Sequence, residues 1–243
     1  MKAMILAAGL GTRLRPLTQN TPKALILVHG QPLIVYSIRL LKKHGIKEVL
    51  INLHHLGELI EKELGDGKKF GIKITYSWED QLLGTGGGIK KAESFFAGTP
   101  FFVLNSDILI DLNLRSLFKF HKLKKGIATM VVRPREEDSP YTPIYIGSRD
   151  RVLDIGIGDT IPLSEETFMY TGAQVLESSF LDYLPKNQET CIIRQGYQPA
   201  LADNKKIYGY KYHNYWNDLG TLDRYRQAEA DMSSGQVQFS FMK

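Results

Sequence analysis

MKAMILAAGLGTRLRPLTQNTPKAL, residues 1–25, decides how the rest of the chain is read. Met4 to Ala8 is an apolar run with the character of a buried strand, and it breaks at once into Gly9, Leu10, Gly11, Thr12 and Arg13. Glycines at a strand end let the backbone come close to a ligand, and successive turn N–H groups form a concave anion site. Arg13 and Arg15 add planar forks of donors suited to phosphate oxygens, and Lys23 adds a point charge. A loop that cradles a polyphosphate is the first expectation.

Outward from that loop, strand-like and helix-like patterns alternate. Ala24–Val28 is a short apolar element. Pro32 suits the first turn of a helix, whose apolar positions Leu33, Ile34, Leu40 and Leu41 recur until Gly45. Val49–Leu53 reads as a strand, Leu56–Leu64 as a helix closed by Gly65, and Ile72–Tyr76 as a strand. The loop Glu79–Leu83 and the run Gly84–Gly88 lead into a helical segment ending near Phe96, and Phe101–Leu104 is a further strand. Strands separated by helical segments predict an α/β, Rossmann-like fold: a mainly parallel twisted sheet with helices on both faces. Ligands in such sheets sit beyond the carboxyl ends of the strands. Gly9–Lys23, Glu79–Gly88 and Asn105–Asp107 all follow strands and are expected to converge there.

Beyond residue 110 the pattern changes. Leu114–Leu123 reads as a helix, Ile127–Val132 as a strand and Arg133–Pro143 as an exposed loop. Ile144–Ile146, Val152–Ile155 and Phe168–Leu176 read as strands joined by turns, so a small antiparallel portion is expected. Glu189–Ala202 reads as a helix, Ile207–Tyr212 as a strand and Thr221–Asp231 as a helix. The expected organisation is a single domain over residues 1–232, with a first half at about 1–110 and a second at about 111–232. A tail, 233–243, is expected to be loose or to pair elsewhere.

The 243 residues allow a substantial core, and 43% hydrophobic with 23% charged residues is an ordinary globular balance. The net charge of +5 is spread along the chain with no basic block, which favours anionic small molecules over nucleic acid. Cys191 is the one cysteine, so no intrachain disulfide forms, and His54–His55 is an isolated pair with no zinc-site spacing. The N-terminal apolar run is too short for a signal peptide, and no stretch is long enough to span a bilayer. A cytoplasmic protein without membrane attachment is expected.

The glycine loop is neither a dinucleotide nor a Walker loop. Leu14 stands where the former needs glycine, no acidic residue lies about twenty further on, and Gly-Lys-Ser/Thr is absent. A plain tight turn explains two glycines but not Thr12, Arg13, Arg15 and Lys23 together. Asp107, in Asn105-Ser106-Asp107, and Asp218, in Tyr215-Trp216-Asn217-Asp218, each end a strand. Either alone could be a cap; together they could share Mg²⁺, a hard cation that takes one or two carboxylates plus substrate phosphates. The Gly84–Gly88 run is costly unless something approaches the backbone, such as a flat base.

These stretches resemble a known family. Leu6-Ala7-Ala8-Gly9-Leu10-Gly11-Thr12-Arg13-Leu14-Arg15-Pro16-Leu17-Thr18, followed by Thr21-Pro22-Lys23, is similar to the opening motif of sugar-1-phosphate nucleotidylyltransferases. Leu83-Gly84-Thr85-Gly86-Gly87-Gly88 resembles the family's nucleobase loop. Asn105-Ser106-Asp107 and Trp216-Asn217-Asp218-Leu219-Gly220-Thr221 resemble its metal-carboxylate motifs. The chain also resembles the short bacterial forms, N-acetylmuramate-1-phosphate uridylyltransferases and mannose- or heptose-1-phosphate guanylyltransferases.

The resemblance implies the nucleotide-diphospho-sugar transferase fold. It also implies a reaction joining a nucleoside triphosphate, UTP or GTP, to a sugar 1-phosphate with release of pyrophosphate. It implies catalytic roles for Arg13, Lys23 and Asp107, and nucleotide contacts from Ala8, Gly9, Gly11, Thr12, Arg13, Gln81, Gly84 and Thr85. Asn105, Thr171 and Gly172 would face the sugar, and Asp107 and Asp218 would bind Mg²⁺. A homodimer is compatible with it.

Two departures accompany the resemblance. Val152–Pro162 lacks the lysine that many members place on the sugar phosphate, which leaves Arg194 and Lys211 as candidate replacements. Pro140–Ile146 lacks a tyrosine–glycine pair common before that strand. The left-handed β-helix of longer relatives is absent, so a second, acetyltransferase activity is not expected. A non-catalytic regulatory subunit of the same fold is the alternative, and the intact Gly11, Arg13, Lys23, Asp107 and Asp218 weigh against it.

Overall fold

The computed structural model describes residues 1–136, 138–156 and 166–242. In chain order the elements are β1 (Lys2–Leu6), β2 (Leu27–Val28), β3 (Gln31–Pro32), α1 (Leu33–Lys43), β4 (Glu48–Leu53), α2 (Gly57–Leu64), β5 (Lys73–Trp78), α3 (Gly84–Lys91), α4 (Glu93–Phe96), β6 (Phe101–Asn105) and β7 (Ile108–Ile110). There follow α5 (Leu114–Lys124), β8 (Ala128–Pro134), β9 (Ile144–Ile146), β10 (Val152–Ile155), β11 (Thr167–Leu176), α6 (Gln198–Ala202), β12 (Ile207–Lys211), β13 (Trp216–Asp218) and α7 (Leu222–Ser233). They gather into two compact units that the chain enters more than once. The first holds Met1–Leu82, Leu104–Leu114 and Asn214–Lys243; the second holds Leu83–Val103 and Arg115–His213.

In the first unit β1, β4 and β5 are parallel neighbours, in register from Lys2↔Glu48 to Leu6↔Asn52 and from Glu48↔Lys73 to Leu53↔Trp78. Their interior positions are apolar because parallel strands covered by helices have no wet face. Ala3, Met4, Ile5, Val49 and Ile51 are fully buried. Pro32 precedes α1, Leu33, Ile34, Ile38 and Leu41 bury its inner side, and Gly45 at φ +82° follows its end. The short β7, unanticipated in the sequence, pairs antiparallel with β13 through Trp216↔Ile110, Asn217↔Leu109 and Asp218↔Ile108. Residues 234–242, expected to be loose or to pair elsewhere, are docked: Phe239 is 3% exposed and packs edge-on against Tyr36 of α1.

In the second unit β8–β11, β9–β11 and β9–β10 are antiparallel, as expected. β12 returns parallel to β8, from Ile207↔Ala128 to Lys211↔Val132, a crossover made possible by the helical turns between β11 and β12. The β8–β11 register shifts between Tyr170 and Gln174, where Gly172 has φ +87°. The expected helix 189–202 is not continuous. Residues 189–191 form no regular element, Ile192–Tyr197 is a π-helical turn, and α6 begins at Gln198. Pro199 supplies no N–H to the preceding turn, so a regular ladder cannot run through it. Part of the segment Val152–Pro162, residues 157–162, lies outside the described residues.

Candidate active site

The first unit assembles the glycine loop with both candidate carboxylates. The loop leaves β1 through Ala7, whose N–H donates to Asn52 Oδ1 (2.9 Å) at the end of β4. Asn52 Nδ2 donates to Glu79 Oε1 (2.7 Å) just past β5. The Glu79 N–H in turn reaches the Leu53 carbonyl (2.8 Å), and His54 Nδ1 donates to the Glu79 carbonyl (2.8 Å). Asn52 and Glu79 are 2% and 3% exposed. Burying such groups is tolerable only when they are paired, so this relay ties the loop's base to three strand ends. Neither residue was singled out from the sequence; the available signal was a polar residue closing an apolar strand, Val49–Leu53.

The loop's two glycines have different reasons. Gly11 sits at φ +64°, and a Cβ there would lie 3.0 Å from Thr18 Cγ2 and 3.1 Å from Lys23 Cβ. Its carbonyl accepts from Thr18 Oγ1 (2.8 Å) and from the Leu14 N–H (3.0 Å). Leu14, 1% exposed, anchors the 3₁₀ turn Thr12–Leu14 in the core, which accounts for an apolar residue where a dinucleotide loop has glycine. Gly9 has no such constraint: a Cβ would meet nothing within 4 Å. Gly9, Thr12, Arg13 and Arg15 are exposed, while Ala8 beside them is buried. The cradle is therefore braced on its inner side and open on its outer side.

Lys23 begins a second 3₁₀ turn, and its Nζ donates to Asp107 Oδ2. The two side chains are 14% and 26% exposed. Asp107 is brought there because β6 ends beside β1, where the Ser106 N–H donates to the Leu6 carbonyl (3.0 Å). The ribbon β7–β13 then places Asp218 against Ile108, and the Leu219 N–H donates to the Asp107 carbonyl (2.8 Å). A Cβ on Gly220 would lie 3.4 Å from Asp218 Oδ2 and 3.6 Å from Arg13 Nη2, so the Arg13 guanidinium and the Asp218 carboxylate both flank that glycine. Arg224 Nη1 donates to Asp218 Oδ1 (2.8 Å). Arg224 is held by the capped start of α7, where Thr221 Oγ1 accepts from the Arg224 N–H (3.4 Å) and Asn217 Nδ2 donates to the Arg224 carbonyl (3.1 Å). Arg224 is a further residue that sequence reading passed over.

Lys23 and Arg224 thus each donate to one carboxylate, and Arg13 flanks Gly220 as a third cation, beside an open glycine loop. Among the described residues no group of three or more His, Cys, Asp or Glu side chains is placed to hold a metal. Two carboxylates at one ribbon end, each accepting from a cation, do match the donor set of Mg²⁺ held jointly with substrate phosphate. Asn105 ends β6 half-buried, and Gln81 is exposed after β5.

The second unit holds the remaining candidates. The Gly84–Gly88 run opens α3, and it has an internal cause. A Cβ would lie 2.7 Å from the Thr190 carbonyl oxygen at Gly84, 2.7 Å from Thr190 Cγ2 at Gly86 and 2.6 Å from the Gln188 carbonyl oxygen at Gly87. The segment 188–191 lies on this helix start: the Gly86 N–H donates to the Thr190 carbonyl (2.8 Å) and the Thr190 N–H to the Leu83 carbonyl (2.8 Å). Thr85 Oγ1 accepts from the Ile192 N–H (3.0 Å). The Gly86 N–H is thus taken by the chain itself. A cleft of about 350 Å³ remains beside Gly84 and Thr85, with Glu189 and Arg194 on its wall. Lys211 Nζ instead lies 4.6 Å over the Phe168 ring. Thr171 is buried and donates from Oγ1 to the Val131 carbonyl (2.8 Å), next to Gly172 at the register shift.

Comparison with known proteins gives the chain's family and fold. The model of the Nucleotidyl transferase family matches residues 2–235. The UTP–glucose-1-phosphate uridylyltransferase of Synechocystis sp. is 33% identical, over 98% of this chain and 64% of that protein. The mannose-1-phosphate guanylyltransferase of Mycobacterium tuberculosis is 30% identical, over 96% of this chain and 65% of that protein. The chain therefore spans just under two thirds of the length of these relatives. The solved structure of a UDP-glucose pyrophosphorylase from Acinetobacter baumanii superposes with a TM-score of 0.79 at 20% identity, covering 99% of this chain and 96% of that one. That likeness shows the expected α/β fold, a mixed sheet with mostly parallel central strands. Among the described residues no helix is long and apolar enough to cross a membrane.

Proposed function

Because the chain belongs to the nucleotidyl transferase family, we propose that it joins a nucleoside triphosphate to a sugar 1-phosphate and releases pyrophosphate. The observation that carries this reading is the Lys23–Asp107 pair beside Arg13 and Asp218, at the edge of an exposed glycine loop. An oxygen of the sugar 1-phosphate attacks the α-phosphorus in line. The new P–O bond forms as the bond from the α-phosphorus to the α,β-bridging oxygen breaks, and pyrophosphate carries off that electron pair. No covalent bond to the protein is needed, so positioning and charge neutralisation dominate.

In this reading Gly9, Gly11 and Thr12 receive the triphosphate, and Arg13 takes up charge developing on the departing pyrophosphate. Lys23 bridges the α-phosphate and the incoming sugar phosphate. Asp107 and Asp218 would hold Mg²⁺, which when bound neutralises phosphate charge. Gln81, Gly84 and Thr85 face base and ribose, and Asn105, Thr171 and Gly172 serve the sugar. Arg194, on the cleft wall beside Thr85, is the better replacement for the missing sugar-phosphate lysine, since Lys211 is engaged with Phe168. Soluble substrates of this kind put the reaction in the cytoplasm.

The relatives' names make UTP with glucose 1-phosphate and GTP with mannose 1-phosphate the first pairs to test. Resemblance to the short forms adds UTP with N-acetylmuramate 1-phosphate. The test is pyrophosphate release with UTP, GTP, dTTP and CTP, each against these sugar phosphates. Release that needs both substrates is expected for one pair, and its absence across the panel refutes the reading.

A further inference from the structure

The segment after α7 is fastened to the far end of the ribbon that carries both carboxylates. Its Ser240 N–H and Oγ donate to Asp111 Oδ2 (2.8 Å) and Oδ1 (2.6 Å), and Asp111 directly follows β7. Phe239 packs edge-on against Tyr215 (centroids 6.0 Å apart), which directly precedes β13, and stacks with Phe241 (5.2 Å). The Tyr215 hydroxyl donates to Asp231 Oδ2 (3.0 Å), and the Val237 N–H donates to the Asp231 carbonyl (3.2 Å). On its other side the segment is tied to α1: Lys43 Nζ donates to the Ser240 carbonyl (2.8 Å), and Phe239 meets the Tyr36 ring at 5.5 Å. Both strand ends away from Asp107 and Asp218 are therefore gripped by two successive residues.

The ribbon is three residue pairs long. A two-stranded ribbon has little stability of its own, and a one-residue slip moves every side chain to the opposite face. Its register must come from outside. At roughly 3.4 Å per residue, the grip lies only about 10 Å from Asp218 and about 14 Å from Asp107, close enough for a slack ribbon to shift them.

We propose that Phe239 and Ser240 are positioning residues, which hold the β7–β13 ribbon so that Asp107 and Asp218 keep the spacing that one divalent cation requires. The proposal rests on the reading of those carboxylates as metal ligands.

The test uses three full-length variants, Phe239→Ala, Phe239→Leu and Asp111→Ala. Asp111→Ala removes an exposed acceptor pair and guards against a folding failure of Phe239→Ala. Mn²⁺ binding is followed by the loss of the free-ion resonance, and hydrogen exchange is read at the Leu219 amide. Supporting residues around a metal site are worth about 10–100-fold in affinity, so Phe239→Ala and Asp111→Ala are expected to weaken Mn²⁺ at least tenfold. They should also speed Leu219 exchange while the β1 and β4 amides stay protected, and Phe239→Leu should recover most of both. Wild-type Mn²⁺ affinity and Leu219 exchange in both disruptive variants overturn the proposal, whatever happens to melting temperature. A wild-type protein that binds no Mn²⁺ overturns the metal reading itself, and is told apart by the parent protein alone.

Discussion

Replacing Lys23 with methionine keeps the stem and removes the charge. Two losses follow, and they differ in size. In the resting protein Asp107 Oδ2 loses its donor, but its side chain is 26% exposed, so water takes over part of the role. The stability cost is about 1 kcal/mol, well below that of stranding a fully buried charge. In a chain of this length that lowers the melting temperature by about 2–4 °C. During turnover the missing ammonium no longer meets charge developing at the α-phosphate. Removing one such preorganised donor costs about 10²–10³ in kcat, or roughly 2.7–4 kcal/mol. The kinetic loss should thus exceed the stability loss by about 2–3 kcal/mol. Pyrophosphate release measured over a full range of both substrates separates kcat from KM, and calorimetry supplies the melting temperature. A kcat within tenfold of wild type, or a change confined to KM, would falsify the catalytic role and leave Lys23 as a tether for Asp107. The double variant Lys23→Met/Asp107→Asn adds a control: its stability loss should fall short of the sum of the single losses by about 1 kcal/mol, because the two share one contact.

Other outcomes follow from the same geometry. Gly9→Ala should change stability by less than about 0.5 kcal/mol, since its Cβ meets nothing, yet depress turnover. Gly11→Ala, at φ +64° and against Thr18 and Lys23, should cost about 1–2 kcal/mol, as urea midpoints will show. Asn52→Leu removes the acceptor of the Ala7 N–H and a donor to Glu79 Oε1; a loss of about 2–4 kcal/mol is expected, and an unchanged midpoint would mean that the relay does not brace the loop. Burial pushes the pKa of His121 down, outweighing the opposing pull of Glu177. Its neutral ring donates from Nε2 to Glu177 (3.2 Å) and accepts from Thr129 Oγ1 (2.9 Å). The unfolded chain binds this proton more readily, so the stabilising contribution is full above about pH 6.5 and is lost as the pH falls through the lower folded value. Urea midpoints should drop between pH 7.5 and 5.5, and His121→Gln should flatten that slope.

Much of the architecture was legible in residue order. The strand and helix positions through Phe101, the antiparallel run from Ile144 to Leu176 and the last helix after Gly220 all follow from local periodicity and turn glycines. Where local reading failed, a distant partner had intervened. The expected helix 189–202 was interrupted as Pro199 broke the ladder and Thr190 paired with Leu83 and Gly86. The three-residue strand β7 exists because β13, more than a hundred residues later, completes it. Residues 234–242 carry little helical pattern, and Phe239 finds its place between Tyr36 and Tyr215 only in the folded chain.

The candidate site divides in the same way. The glycine loop with its arginines, Lys23, Asp107 and Asp218 were marked by composition and spacing, because phosphate chemistry demands those residue types near strand ends. Their pairing was not. Lys23 meets Asp107 across 84 residues, Asn52 meets Glu79 across 27, and Arg224 secures Asp218 from the next helix. The glycine run at 84–88 shows the limit most plainly. Its sequence says only that something comes close, and folding shows that the chain's own segment 188–191 does so. Residue types and local periodicity determine which chemistry is possible and where elements begin, because both act over a few residues. Which donor meets which acceptor is a matter of contacts between distant segments, and those exist only once the sheet has brought the strand ends together.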